Sequence, residues 1–206
     1  MQHRNWVWLV LTLLAGLALG WWSTLTPAAQ PATAPADQFA ASRAMADVRA
    51  IATQPRLTGT PGNAAARAYL AGRLTALGFT VREMRAPVTG RAARRLAKWG
   101  GDPASQLVNL VAIRPGRDST LPLVALMAHH DTVAGSPGAA DDAAGVATAL
   151  EVARAVPAAA QARDLAIILT DAEELGLVGA RALFDTGDPV TRNLGVLINL
   201  EARGAG

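Results

Sequence analysis

Residues 124–145 read VALMAHHDTVAGSPGAADDAAG. An apolar run stops at His129-His130-Asp131, a Gly/Pro/Ser loop follows, and Asp141-Asp142 open a new Ala-rich segment. Imidazole and carboxylate therefore stand where a strand ends and a helix begins. In open α/β sheets ligands bind there, in the crevice beyond the carboxyl ends of the strands. The stretch predicts one half of a metal site.

Two further apolar runs end in acid. LAIILT (165–170) leads into Asp171-Ala172-Glu173-Glu174, and GVLINL (195–200) leads into Glu201. With right-handed crossovers, parallel strands deliver their C-terminal ends to one rim, and Asp141 joins them from its loop. Several carboxylates on one rim repel and raise one another's pKa unless a cation compensates. The chain has no Cys and three His, of which His3 lies in the N-terminal tail. A metal must then be held by His129 or His130 together with Asp and Glu. That donor set suits Zn²⁺ best, with Mn²⁺ or Co²⁺ as alternatives. Taken singly, each residue has a plainer reading: His129 a buried, hydrogen-bonded imidazole; Asp141 or Asp142 a helix cap; Glu173 and Glu174 first-turn acids favoured by the helix dipole; Glu201 a surface acid. Four plain readings falling on matching strand ends make the weaker account.

Outward from this stretch, strand and helix patterns alternate. Strands are predicted at 79–84, 107–113, 121–128, 165–170 and 195–200, and helices at about 38–53, 61–77, 142–156 and 176–184. Asn109, inside the second strand, predicts that this strand lies nearer an edge. Thr60 reads as an N-cap with Pro61 at the first helical position, and Gly78 as the stop of the same helix. The order predicts an α/β fold with three layers, α/β/α, around a mixed, largely parallel central sheet. Residues 89–105, TGRAARRLAKWGGDPAS, stand apart, because Arg91, Arg94, Arg95 and Lys98 cluster around Leu96 and Trp99. They read as a solvated loop or short helix, with a membrane-surface contact or a site for acidic groups as the functional alternatives.

The 206 residues are 51% hydrophobic and 17% charged, with a net charge of +3. This is a globular composition with one domain as the length prior, and its mild charge gives no reason to expect nucleic acid. The absence of Cys excludes disulfides and thiolate metal sites. Residues 6–22, WVWLVLTLLAGLALGWW, carry no charge and reach the short end of a bilayer-spanning helix. Trp6 and Trp8 at one end, and Trp21 and Trp22 at the other, look like interfacial belts. Arg4 precedes the run and no basic residue follows until Arg43, so the positive-inside rule exports the rest of the chain to the periplasmic or extracellular side. A leader cleaved within 28–36 is the alternative, and the paired Trp residues favour an uncleaved anchor. Residues 23–37 are Pro/Ala/Thr-rich and read as a linker. The expected organisation is a tail and signal-anchor (1–22), a linker (23–37) and a single domain (38–206).

The motifs AHHDT (128–132), GAADDAAG (138–145), TDAEELGLVGA (170–180) and INLEARGAG (198–206) occur in order. Together they resemble the zinc exopeptidase superfamily of aminopeptidases, glutamate carboxypeptidases and glutaminyl cyclases. RLTGTPGN (56–63), followed by AYLAGRLTALGF (68–79), is similar to the family's N-terminal opening. The likeness covers roughly 39–206. Glu201, where better-known aminopeptidases carry Asp, is closest to the membrane-bound endoplasmic-reticulum metallopeptidase branch.

The resemblance implies the phosphorylase/hydrolase-like zinc peptidase fold, two zinc ions and peptide substrates. It makes His129 a ligand of the first zinc and Asp131 the carboxylate that orients its ring. Asp141 becomes the bridge between the metals, Glu174 a ligand of the second zinc, Glu201 a ligand of the first, and Glu173 the general base. His130 receives no role. Aminopeptidase chemistry leads, with carboxypeptidase or glutaminyl cyclase chemistry on the same scaffold as alternatives. A non-catalytic binding ectodomain is the reading from a different class. The family's second zinc also takes a late His, and no His follows His130. The expectation is therefore an N-terminal portion of a longer membrane protein, with its peptidase domain incomplete at the C-terminus.

Overall fold

Runs rich in Leu, Ile and Val form a five-stranded sheet: β1 (Thr80–Pro87), β2 (Gln106–Arg114), β3 (Leu123–His129), β4 (Leu165–Thr170) and β5 (Leu194–Asn199). The computed structural model describes residues 2–26 and 28–202, with side chains from Trp6 onward. The side chains of His3 and Arg4, and the end of the INLEARGAG motif at 203–206, lie outside the described residues. The strand order is β1-β2-β4-β3-β5. β3 pairs in parallel with β4 and β5, and β2 is antiparallel to both β1 and β4, so β2 alone runs against the others.

Seven α-helices accompany the sheet among the described residues: α1 (Gln2–Thr24), α2 (Ala41–Ile51), α3 (Pro61–Ala76), α4 (Gly90–Lys98), α5 (Ala144–Ala155), α6 (Val178–Asp185) and α7 (Pro189–Arg192). Successive strand side chains point to opposite faces, and each face meets its own helices. Leu126, Ala128, Ile167 and Leu169 pack with Val48, Ile51, Leu70, Leu74, Val146 and Leu150 of α2, α3 and α5. On the other face Val111, Ala125, Ala166 and Ile168 meet Leu183 of α6 and Val190 of α7. This is the expected three-layer α/β/α arrangement. β4 is buried along its whole length, as a strand covered on both faces must be.

Local signals hold where they were explicit. The Thr60 hydroxyl accepts from the Asn63 amide at 3.3 Å with Pro61 behind it, and Gly78 ends the helix region at φ +83°. The strand at 107–113 lies near an edge but is not the edge itself. β2 lies inside the sheet and β1 takes the edge. Asn109 is tolerated there because its side chain is fully used: Oδ1 accepts from the Asp171 amide (2.9 Å) and Nδ2 donates to the Gly179 carbonyl (2.8 Å).

Residues 6–24 of α1 form a helix long and apolar enough to cross a membrane, with none of its span buried. The linker that follows is partly tied to the domain. Arg43 donates to the carbonyls of Ala32 (2.7 Å), Ala34 (2.8 Å) and Gln38 (2.6 Å), and Arg154 to those of Ala36 (2.6 Å) and Gln38 (3.0 Å). Both guanidiniums also pair with Glu151, whose side chain is 4% exposed. The linker's described residues are exposed apart from a half-buried Ala34, and the donors that strap it sit on α2 and α5.

Candidate metal centre

Three parallel strands end level with one another. His129 closes β3 in register with Thr170 at the end of β4, and the Leu200 amide donates to the Met127 carbonyl at 2.7 Å just past β5. The acids that follow those ends converge on one imidazole. His129 Nε2 lies 2.9 Å from Asp141 Oδ1, 3.6 Å from Glu201 Oε1 and 4.0 Å from Glu173 Oε2. The ring is buried at 2% exposure, whereas Asp141 and Glu201 face solvent at 53% and 47%. His129, Asp141 and Glu201 each offer a donor atom within 4.8 Å of the others. On the ring's far side, Nδ1 stands 3.4 Å from Asp131 Oδ1 but makes no hydrogen bond.

The electrostatics of this rim call for a cation. Burial lowers the pKa of His129, but Asp131, Asp142 and Glu173 override it and push it up to about 10. Glu173 and Glu174 are both raised, first by burial and then by neighbouring carboxylates. An imidazole held charged among crowded acids marks a place where positive charge is favoured. One imidazole and several carboxylate oxygens, with no thiolate, fit zinc.

Asp131 is buried at 1% exposure and binds the acidic turn from beneath. Its Oδ1 accepts from the Glu173 amide at 3.0 Å and its Oδ2 from the Glu174 amide at 3.2 Å. One carboxylate thus faces the His129 ring and fixes the backbone of both glutamates. The turn is flanked by two non-glycine residues in the left-handed region, Ala172 (φ +58°) and Leu177 (φ +60°). Such residues cluster at functional sites, where surrounding contacts over-determine them. The structure therefore brings together His129, Asp141 and Glu201, sets Glu173 at their border and Asp131 behind them. Glu174, half-buried, stands outside that group of three.

Sequence reasoning missed the polar frame under the rim. Arg56 is fully buried, and its guanidinium donates to the carbonyls of His130 (2.7 Å), Gly138 (3.2 Å), Ile51 (3.3 Å) and Pro137. Asp171, also fully buried, accepts from Thr58 Oγ1 (2.8 Å), Asn63 Nδ2 (3.1 Å), and the amides of Val108 (2.9 Å) and Ala172 (2.8 Å). Asp142 accepts from the amides of His129 (3.2 Å) and Gly145 (2.9 Å), and burial pushes its carboxyl up to about 7. A Cβ at Gly145 would lie 2.2 Å from Asp142 Oδ1, so a larger residue there would displace that buried carboxylate. His130 turns away from the rim, with Nε2 3.1 Å from the Val108 carbonyl. The signal for this frame was the RLTGTPGN motif, whose Arg, Thr and Asn look like ordinary turn residues when read locally.

Fold and donors together define a class: a three-layer α/β/α domain with a His/Asp/Glu rim suited to a divalent cation. Residues 109–206 match Peptidase family M28. A vacuolar membrane protease of Candida albicans is 40% identical over 98 residues, which are 48% of this chain and 12% of that protein. The chain thus spans a small part of the curated relatives it matches. The glutaminyl cyclase of Bacteroides thetaiotaomicron, solved with N-acetylhistamine, superposes with a TM-score of 0.65 at 25% identity, covering 81% of this chain and 63% of that one. The zinc aminopeptidase BSAP of Bacillus subtilis superposes with a TM-score of 0.68 at 16% identity, covering 81% and 70%, a likeness of fold alone. Residues 109–206 are thus similar to Peptidase family M28, and the fold is shared with solved zinc aminopeptidases and glutaminyl cyclases.

Proposed function

We propose that this protein is a membrane-anchored zinc exopeptidase of the aminopeptidase type, with its domain outside the cytoplasm, that hydrolyses N-terminal peptide bonds. The observation carrying this reading is the His129 imidazole facing Asp141, Glu201 and Glu173 on one rim. His129, Asp141 and Glu201 would hold a first zinc, and Asp141 and Glu174 would contribute to a second. When bound, zinc supplies Lewis-acid polarisation of the scissile carbonyl and acidifies water.

The chain's own residues supply the remainder. Asp131, 3.4 Å from His129 Nδ1, would favour a proton on that nitrogen once a metal takes Nε2, leaving the Nε2 lone pair for coordination. Glu173 takes a proton from the attacking water and returns it to the leaving amine, a role typically contributing ~10²–10⁴-fold in rate. Its amide, fixed by Asp131, sets where that carboxylate points. The apolar span of α1 and the likeness to a vacuolar membrane protease support attachment to a membrane.

Replacing Glu173 with Ala is expected to abolish hydrolysis of free-amine peptides in the full-length protein while its zinc content is retained. Unchanged hydrolysis would overturn the assignment. The glutaminyl cyclase likeness at 25% identity favours one second reading, cyclisation of N-terminal Gln. Gln-initiated peptides yielding a pyroglutamyl product, with no hydrolysis of other peptides, would decide for it.

A further inference from the structure

The chemistry above does not use the basic helix α4. Arg91 and Arg95 of α4, together with Arg181 of α6, line a groove of about 540 Å³ that also includes Leu175, Gly176 and Val178. The groove begins at the residue after Glu174, so its wall continues the acidic turn. Its frame is rigid, because Ala92 and Leu96 of α4 are buried against Leu57, Leu107, Ala172 and Leu175. Arg95 is further held with its guanidinium carbon 4.6 Å from the centre of the Trp99 ring.

Among the described residues these three exposed arginines, like Arg94 on the same helix, form no ion pair, so the charge around the groove is uncompensated within the protein. Cations gathered around one concavity without counter-charge repel one another, and an anion relieves that repulsion. We propose that this groove binds a carboxylate of the peptide substrate, making the protein selective for acidic peptides, with Arg91, Arg95 and Arg181 as specificity-determining residues. The inference rests on the exopeptidase reading. Planar guanidiniums match a carboxylate through paired hydrogen bonds, whether that carboxylate is an Asp or Glu side chain or the C-terminus of a short peptide.

An anionic bilayer fits the groove less well. The site is concave and lies at the rim. The membrane-side linker is strapped by Arg43 at the start of α2 and Arg154 at the end of α5. Arg114, at the far end of the sheet from the rim, donates to the Ala153 and Val156 carbonyls beside that strap. The tether and the groove therefore sit at opposite ends of the strands.

The test compares kcat/KM of the full-length protein and its Arg91→Ala/Arg95→Ala/Arg181→Ala variant on matched peptides. The pairs differ by Glu against Gln within the peptide, or by a free against an amidated C-terminus. The wild-type protein is expected to prefer the acidic member by roughly tenfold, the scale of one hydrogen bond to a charged group at a partly open site. The variant's ratio should fall to about one, and salt should erode the wild-type ratio. Loss of preference on Glu→Gln exchange assigns the side chain as the source, and loss on amidation assigns the C-terminus. Binding of the same peptides to the Glu173→Ala protein, read by fluorescence anisotropy, reports on the groove without turnover and separates its failure from failure of the exopeptidase reading. Equal ratios and equal binding for wild type and variant would overturn the proposal. So would a triple-variant defect confined to sedimentation with phosphatidylserine vesicles.

Discussion

Replacing Arg56 with Met keeps most of the buried volume and removes every donor. Four carbonyls then lose their partner, those of Ile51, His130, Pro137 and Gly138. A hydrogen bond to a charged group contributes about 1.5–3 kcal/mol, which would sum to an unrealistic loss. Two terms reduce it. The variant no longer buries a guanidinium, and water can enter a polar space of that size. Burial lowers the pKa of Arg56, while Asp131, Asp142 and Asp141 raise it, so its charge also compensates the acids of the rim. A net cost of about 3–5 kcal/mol is expected, as for removing one partner of a buried ionic network. That is a large part of the ~5–15 kcal/mol that holds a domain folded. Because the gripped segment leads to Asp141, zinc affinity should fall as well. Arg56→Lys keeps the charge but not the planar fork, and should recover less than half of the loss. Urea melts in detergent read the stability, and competition with a chromophoric chelator reads the zinc. An Arg56→Met protein melting within ~0.5 kcal/mol of wild type, with unchanged zinc affinity, would refute the argument, since that is the scatter of ordinary surface substitutions.

Two further expectations concern the strap and the acidic turn. Burial raises the pKa of Glu151, but hydrogen bonds from Arg154, the Ala40 amide and Arg43 outweigh it and hold the carboxyl down to about 2, against an ordinary 4.5. Its stabilisation is therefore complete above pH 4.5 and lost as the pH falls through that value towards 2. Glu151→Gln should cost about 2 kcal/mol at neutral pH, below the range for fully buried pairs because both arginines are partly exposed. The melting curves of variant and wild type should converge in acid, and a gap independent of pH would contradict this. Leu177 is about half exposed, at 48%, and sits at φ +60°. Leu177→Gly removes a conformational cost of ~1–2 kcal/mol while losing little burial. Allowing for glycine's greater freedom in the unfolded chain, a gain of ~0.5 kcal/mol is expected in the same melts, and a loss above ~1 kcal/mol would show that the left-handed turn is not strained.

What could be read from the sequence was what each segment declares by itself. The strand ends carried their donors in plain view, so His129, Asp141, Glu173 and Glu201 were legible as one rim before any coordinate. The α3 cap was legible for the same reason, because Thr60, Pro61 and Asn63 solve a local problem locally. For Asn109 polarity pointed toward an edge, but what makes it tolerable inside the sheet was not legible. Its partners, Asp171 and Gly179, are 62 and 70 residues away, and a polar side chain is costly in a buried strand only when its partners are missing. The linker was read from composition alone, and the side chains that strap it lie outside it in sequence.

The same long-range logic gives RLTGTPGN its meaning. In sequence it is a run of turn formers, but three of its residues are buried polar groups that reach separate parts of the rim. Arg56 holds the loop from His130 to Gly138, which leads to Asp141. Thr58 and Asn63 hold Asp171, whose chain continues into Glu173 two residues later. One short turn is therefore bonded to both halves of the candidate metal centre and fixes the distance between them. Sheet register alone could not do this, because Asp141 and Glu173 both lie beyond the last paired residues of β3 and β4. A rim of loops keeps its acids aimed at one imidazole only if something rigid and fully hydrogen-bonded lies beneath it. Arg56 and Asp171 are those two points, and the turn between α2 and α3 joins them.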